Sequence, residues 1–110
     1  MRKFAKIFQA LSDTNRLRIL KILQLRPLCV CEIQSVLKLA SSTVSKHLSI
    51  LRDVGFIQDV KENKWVNYYI NLDTHDQLIK ELLTLLEKWL PNNEQIREDL
   101  ELAQKVDRNE

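Results

Sequence analysis

The apolar residues of this chain recur at helical spacing as far as Val54, and from Phe56 onward they alternate with polar ones. The only glycine, Gly55, stands at the change. A chain that switches period in this way is neither a pure helical bundle nor a pure sheet. Phe4, Ile7, Phe8 and Leu11 fall at i, i+3, i+4 and i+7, one stripe of an amphipathic helix. "SDTN" interrupts it, and Asp13 or Thr14 caps a second helix that runs to about Gln24 with Leu17, Ile19, Leu20, Ile22 and Leu23 over a wide apolar arc. Beyond Pro27, "VCEIQSVLK" predicts a short third helix with Val30, Ile33, Val36 and Leu37 on one face. "LASS" turns the chain, and residues 42–54 form a fourth helix with Val44, Leu48 and Leu51 inward. Gly55 suits the left-handed position that ends a helix.

The alternating part follows. "FIQDV" and "WVNYYINL" are rich in β-branched and aromatic residues, and "KENK" between them predicts a hairpin turn in which Asn63 takes a positive φ. Val66, Tyr68, Ile70 and Leu72 alternate with Asn67, Tyr69 and Asn71. Asp73 or Thr74 then caps a long helix ending at Leu90 before Pro91, with two neighbouring stripes, Leu78/Leu82/Leu85/Trp89 and Ile79/Leu83/Leu86/Leu90. One stripe packs on its own domain and the other needs a second surface, for which another copy of the chain is the simplest source. Phe4, Phe8, Leu78, Leu82, Leu85 and Trp89 are therefore the candidate dimerisation residues. The expected fold is mainly α with a two-stranded β-wing, a winged helix-turn-helix that dimerises through its terminal helices. Residues 1–91 form that domain, and residues 92–110 an acidic extension, a short helix with a frayed end, for which Asn92 and Gln95 offer a capping box.

Charge divides unevenly along the chain. Residues 1–72 carry 12 Lys+Arg against 5 Asp+Glu, and residues 73–110 carry 5 against 10. A basic body with an acidic tail favours a polyanionic partner on the basic side. The fourth helix supplies the matching chemistry. Ser42, Ser45, Lys46 and Ser49 form a polar row opposite its apolar face, Thr43 and His47 flank the row, and no acidic residue precedes Asp53. Short hydroxyls and a cation let a helix enter a major groove, where they reach base edges and phosphates. Lys61 and Lys64 at the ribbon tip add a backbone or minor-groove contact. A merely solvated polar face would account for the helix alone, but not for the helix, turn, helix and ribbon in succession.

No stretch approaches the ~20 apolar residues of a membrane span, and no apolar run follows the basic start, so a cytoplasmic protein without a membrane partner is expected. No Ser/His/Asp set, phosphate-cradling loop or carboxylate pair stands out, which argues against an enzyme.

Both cysteines lie in "RPLCVCEI", separated by one valine. A disulfide between them would close a small strained ring and tie no distant parts together, so the pair reads as two thiols for metal or redox chemistry. Successive even positions face opposite sides of a helix but the same side of an extended segment. If Cys29 and Cys31 grip one ion, the first turn of the third helix must be absent or unwind, and that helix supports the candidate DNA-reading helix. A helix N-terminus also lowers a thiol pKa. Small buried hydrophobes are the plainer alternative for two cysteines beside Val30.

Together, "ALSDTNRLRIL", "LCVCEI", "SSTVSKHLSILRDVGFI" and "KWVNYYI" resemble the ArsR/SmtB family of metal-responsive winged-helix repressors over about residues 4 to 90, and most closely its arsenite-sensing branch. The resemblance implies a homodimer that binds an inverted-repeat operator in double-stranded DNA and releases it when a thiophilic metalloid binds. It assigns Cys29 and Cys31 as ligands and arsenite or antimonite as the inducer, with no permanent cofactor. Two features depart from the family pattern: Asn63 stands where a wing glycine is common, and "SDTN" replaces "SDPT". In the arsenite-sensing branch a third cysteine follows "CVC" by three residues, where this chain has Gln34. Cadmium and lead sensors recruit cysteines from the N-terminal region, which here holds none before Cys29. Zinc sensors use the last helix, and Asp73 and His75 resemble half of such a site, with Leu86 and Trp89 where the other half would stand. A thiol-redox repressor using the same cysteines is the alternative.

Overall fold

A computed structural model describes residues 1–107. In chain order the elements are α1 (Arg2–Leu11), α2 (Thr14–Leu25), β1 (Leu28–Cys29), α3 (Val30–Leu37), α4 (Ser41–Val54), β2 (Ile57–Glu62), β3 (Trp65–Ile70), α5 (Gln77–Lys88) and α6 (Glu94–Lys105). Among the described residues six helices accompany a small antiparallel sheet, so the fold is the mainly helical winged helix-turn-helix.

Each boundary has a local cause. Asp13 caps α2, its carboxylate accepting from the N–H groups of Asn15 and Arg16 at 2.8 and 3.1 Å. Lys38 ends α3 in the left-handed conformation (φ 59°), an unusual place for a residue with a Cβ. Gly55 ends α4 at φ 100°, and Asn63 turns the wing at φ 57°. A further left-handed residue, Leu90, precedes Pro91. Ile19, Leu20 and Ile22 of α2, Ile33 of α3, Val44, Leu48 and Leu51 of α4, Phe56 and Ile79 of α5 are fully enclosed in one core.

Four differences from the sequence reading matter. The ribbon gains a third strand: β1 pairs antiparallel with β3, giving the order β1-β3-β2, with Leu28 opposite Tyr68 and Cys29 opposite Asn67. A two-residue strand is too short to leave a period in the sequence. β3 stops at Ile70, so Leu72 is exposed rather than the last inward residue.

Helix α5 starts three residues later than a cap at Asp73 would allow, and two later than one at Thr74. Asp76 caps it, accepting from Leu78 and Ile79, and Lys3 of α1 pairs with the same carboxylate at 3.3 Å. The helix also stops at Lys88, short of Leu90.

The acidic extension is folded onto the domain. Asn93, not Asn92, caps α6, and Ile96, Asp99 and Ala103 are buried against α2 and α3. Arg18 of α2 holds Asp99 through two parallel bonds of 2.8 and 3.0 Å, with Gln95 donating to the same carboxylate. Such a buried bidentate pair fixes where α6 lies. The frayed end expected after this helix extends into residues 108–110, which lie outside the described residues.

Candidate nucleic-acid interface and thiol site

The row proposed to read DNA is presented together. Ser42, Thr43, Ser45, Lys46 and Ser49 are exposed on α4, while Val44, Leu48 and Leu51 anchor its other face in the core. The three-residue turn Lys38, Leu39, Ala40 sets α4 across α3, and Arg52 bridges α4 to the wing through Asp59 at 3.0 Å. Lys61 and Lys64 are exposed at the wing tip, and the Lys64 ammonium lies 5.3 Å from the centre of the Trp65 ring.

His47 stands apart from this row. It is half-buried, and its Nδ1 accepts from Arg16 Nη1 at 3.2 Å. Arg16 in turn donates to the carbonyls of Ala10 and Gln9 and lies 4.0 Å from Asp13. His47 therefore ties α4 to α1 and α2 rather than standing free in the row. Burial alone would raise the Asp13 carboxyl, but N–H bonds from Arg16 and Asn15 and the charge of Arg16 hold it below the usual carboxylate range. Arg16 carries this joint, and nothing in its spacing within "SDTNRLRIL" singles it out. Asp13, Arg16, Ser42, Thr43, Lys46, His47 and Ile50 line a cleft of about 540 Å³ beside the row.

The two sulfurs are 2.9 Å apart, both as free thiols. The helix has not unwound to allow this. Cys29 is the extended N-cap residue (φ −87°, ψ 170°) at the end of β1, and Cys31 is the second residue of α3. An intact first turn therefore does not keep the two sulfurs apart, as the sequence predicted it would, because Cys29 lies outside the turn. A capping box closes the junction: the Cys29 sulfur accepts from the Glu32 N–H, and the Glu32 carboxylate accepts from the Cys29 N–H at 3.0 Å. The other Glu32 oxygen accepts from Arg26 at 3.3 Å, and Arg26 also donates to the carbonyls of Ala103 and Val106 at the end of α6.

Position at a helix N-terminus does not lower the Cys29 pKa. Burial, followed by the bond to Cys31, pushes it up to about 12; the N–H of Glu32 works the other way, while the nearby Glu32 carboxylate adds to the rise. Cys29 is thus a buried neutral thiol, only 2% exposed, with Cys31 half-exposed beside it. Gln34 lies one turn beyond Cys31 on α3, half-buried. Among the described residues no group of three or more His, Cys, Asp or Glu side chains is arranged to hold a metal ion. Asp73 and His75 are both exposed in the loop before α5 and belong to no such group.

Of the residues proposed for dimerisation, Phe4 (53%), Phe8 (44%), Leu85 (44%) and Trp89 (39%) are exposed, and the Phe4 and Phe8 rings meet tilted at 47° with centroids 5.1 Å apart. Leu82 is buried at 7% within the protomer, and Leu78 packs partly on the core, so this stripe is not wholly available to a partner. Leu90, assigned to the inner stripe, lies outside α5 and is exposed.

Residues 13–59 match the profile described as the bacterial regulatory protein, arsR family. An uncharacterized HTH-type transcriptional regulator of Methanocaldococcus jannaschii is 40% identical over 87 residues, covering 78% of this chain and 93% of the relative. The arsenical resistance operon repressor of Bacillus subtilis is 32% identical, covering 76% of this chain and 80% of the relative, and regulators of cadmium resistance match as well. Among solved structures, reduced HlyU from Vibrio cholerae superposes with a TM-score of 0.68 at 30% identity, covering 82% of this chain and 90% of that one. No helix among the described residues is long and apolar enough to cross a membrane. With the reading helix, supporting helix and wing assembled as described, the chain belongs to the arsR family of winged helix-turn-helix regulators, DNA-binding proteins that are not enzymes.

Proposed function

We propose that this chain is a dimeric repressor that leaves its operator when Cys29 and Cys31 capture arsenite or antimonite. The observation that carries the reading is the 2.9 Å approach of the two sulfurs at the start of the helix supporting α4. Two sulfurs sharing one ion at ~2.3 Å stand roughly 3.4–3.8 Å apart, so capture asks for an opening of under about 1 Å.

The protonation state of Cys29 favours a neutral metalloid acid over a divalent cation. Arsenous acid condenses with two neutral thiols: two As–O bonds break, two As–S bonds form, and each thiol proton leaves with a hydroxyl group as water. No charge is buried and arsenic stays trivalent. A divalent cation requires thiolates, and Cys29 resists ionisation up to about 12. An arsenic atom on the Cys29 sulfur also competes with the Glu32 N–H for it, loosening the cap that seats α3 under α4. Capture and groove fit therefore oppose each other.

Two copies joined through Phe4, Phe8, Leu85 and Trp89 would carry two reading helices, matching an inverted repeat with half-sites about 10 bp or a multiple apart. The exposed aromatic and aliphatic side chains at these positions support that assembly.

Operator release measured against added arsenite, antimonite, cadmium and peroxide tests the reading. Release by the two metalloids, lost in Cys29→Ser and Cys31→Ser, is the expected outcome. Unchanged arsenite response in both variants would overturn it, and release by peroxide alone would favour the redox alternative.

A further inference from the structure

Trivalent arsenic forms three bonds, and the two cysteines supply two of them. The β1–β3 register brings a third group to the same place. Cys29 is directly opposite Asn67, and paired residues of an antiparallel ladder project from the same face with Cβ atoms about 4.5–5.5 Å apart. Asn67 is 93% buried, counting from its 7% exposure, and its Oδ1 has no hydrogen-bond partner. A buried amide oxygen left without a donor is destabilising, and native interiors seldom keep one. The other such oxygen, on Asn71, belongs to a side chain that already donates to the Gly55 carbonyl at 3.1 Å and sits at the α4–β2 corner. Asn67 is the one placed opposite a sulfur.

Resting on the two-thiol reading, we propose that Asn67 is the third member of the site: its Oδ1 accepts the hydrogen of the hydroxyl that arsenous acid retains after condensing with Cys29 and Cys31. Three hydroxyls enter, two leave as water carrying the thiol protons, and the remaining one points its proton at the waiting oxygen. The third cysteine of the arsenite-sensing branch is thereby replaced from the wing, not from α3. Gln34 occupies that cysteine's sequence position but carries no buried orphan atom.

The site then discriminates among trivalent arsenicals. Phenylarsine oxide has two exchangeable positions and keeps a phenyl group where arsenous acid keeps a hydroxyl, so it draws nothing from Asn67. Affinities of the full chain for arsenite and phenylarsine oxide, followed by the near-ultraviolet absorbance of As–S bonds, separate the contributions. Asn67→Val and Asn67→Ser are expected to weaken arsenite about tenfold, the scale of one buried hydrogen bond, while phenylarsine oxide stays within about twofold. Gln34→Ala is expected to bind arsenite as the wild type does.

Full arsenite affinity in both Asn67 variants would overturn the proposal, as would a tenfold loss in Gln34→Ala. Equal loss of both arsenicals in the Asn67 variants would also overturn it, since a structural role alone does that. A wild-type chain that binds neither arsenical would instead overturn the two-thiol reading on which the proposal stands.

Discussion

Cys29 caps α3 with sulfur, a weak acceptor at a position where serine, threonine or aspartate would hold the same N–H more firmly. That substitution of sulfur for oxygen lets the joint serve as a cap and, in the proposed function, as a ligand. Its protonation gives a direct prediction. With Cys29 raised to about 12 from an ordinary 9.0, arsenite affinity should be nearly flat from pH 6 to 8, because condensation releases water and no net proton. Cadmium affinity should climb at least tenfold per pH unit over the same range, since Cys29 must lose its proton. Isothermal titration at three pH values checks both slopes. A raised thiol pKa also stabilises the fold fully below about pH 9 and loses that contribution as pH rises through 12. On α4, Lys46 is an exposed cation in the reading row. Lys46→Ala should lower operator affinity and flatten the log affinity against log salt slope by about 1 for each protomer engaged. The reading row and the sulfur pair were legible in the sequence because they depend on local spacing. Arg16 and Asn67 were not, because a bond from α2 to His47 and a strand pairing 38 residues apart leave no local pattern.

At the scale of elements, α6 reaches the thiol pair through side chains. Arg26 holds the α6 carbonyls at 2.9 and 2.7 Å and touches Glu32, whose carboxylate caps Cys29. Arg18 and Asp99 seat the same helix from the other side. Asp99 is 1% exposed, and Arg18 is held in its charged form, bonded to it. Asp99→Ala leaves the guanidinium without its partner and should cost about 3–5 kcal/mol in urea unfolding. Lys21 is buried too, with its ammonium 2.8 Å from the Leu86 carbonyl, and burial pulls its pKa down despite nearby Glu87. Helical stripes predicted the helices well because amphipathic packing writes period into sequence. Caps were harder: Asp73, Thr74 and Asp76 all precede α5, and which one binds the first N–H groups is decided by the path of the loop and by Lys3. The acidic tail read as an appendage because its anchor, Asp99, looks like any surface carboxylate until α2 lies against it.

For the molecule as a whole, exposed Phe4 and Phe8 belong to α1, Leu85 to α5 and Trp89 to its C-cap, and neither helix carries any part of the reading row. Phe8→Glu combined with Leu85→Glu should abolish the proposed dimer in sedimentation equilibrium and weaken operator binding at least tenfold, because one half-site is then held alone. Leu82→Glu would instead unfold the protomer, since Leu82 is core. The account as a whole depends on competition between arsenic and the Glu32 N–H for one sulfur. Amide hydrogen exchange on the operator-free protein, with and without arsenite, measures that competition at the bond itself. The account predicts that exchange at Glu32 and its neighbours in the first turn of α3 quickens about tenfold or more when arsenite binds. Arsenite bound at both cysteines with the Glu32 amide as protected as before would contradict it.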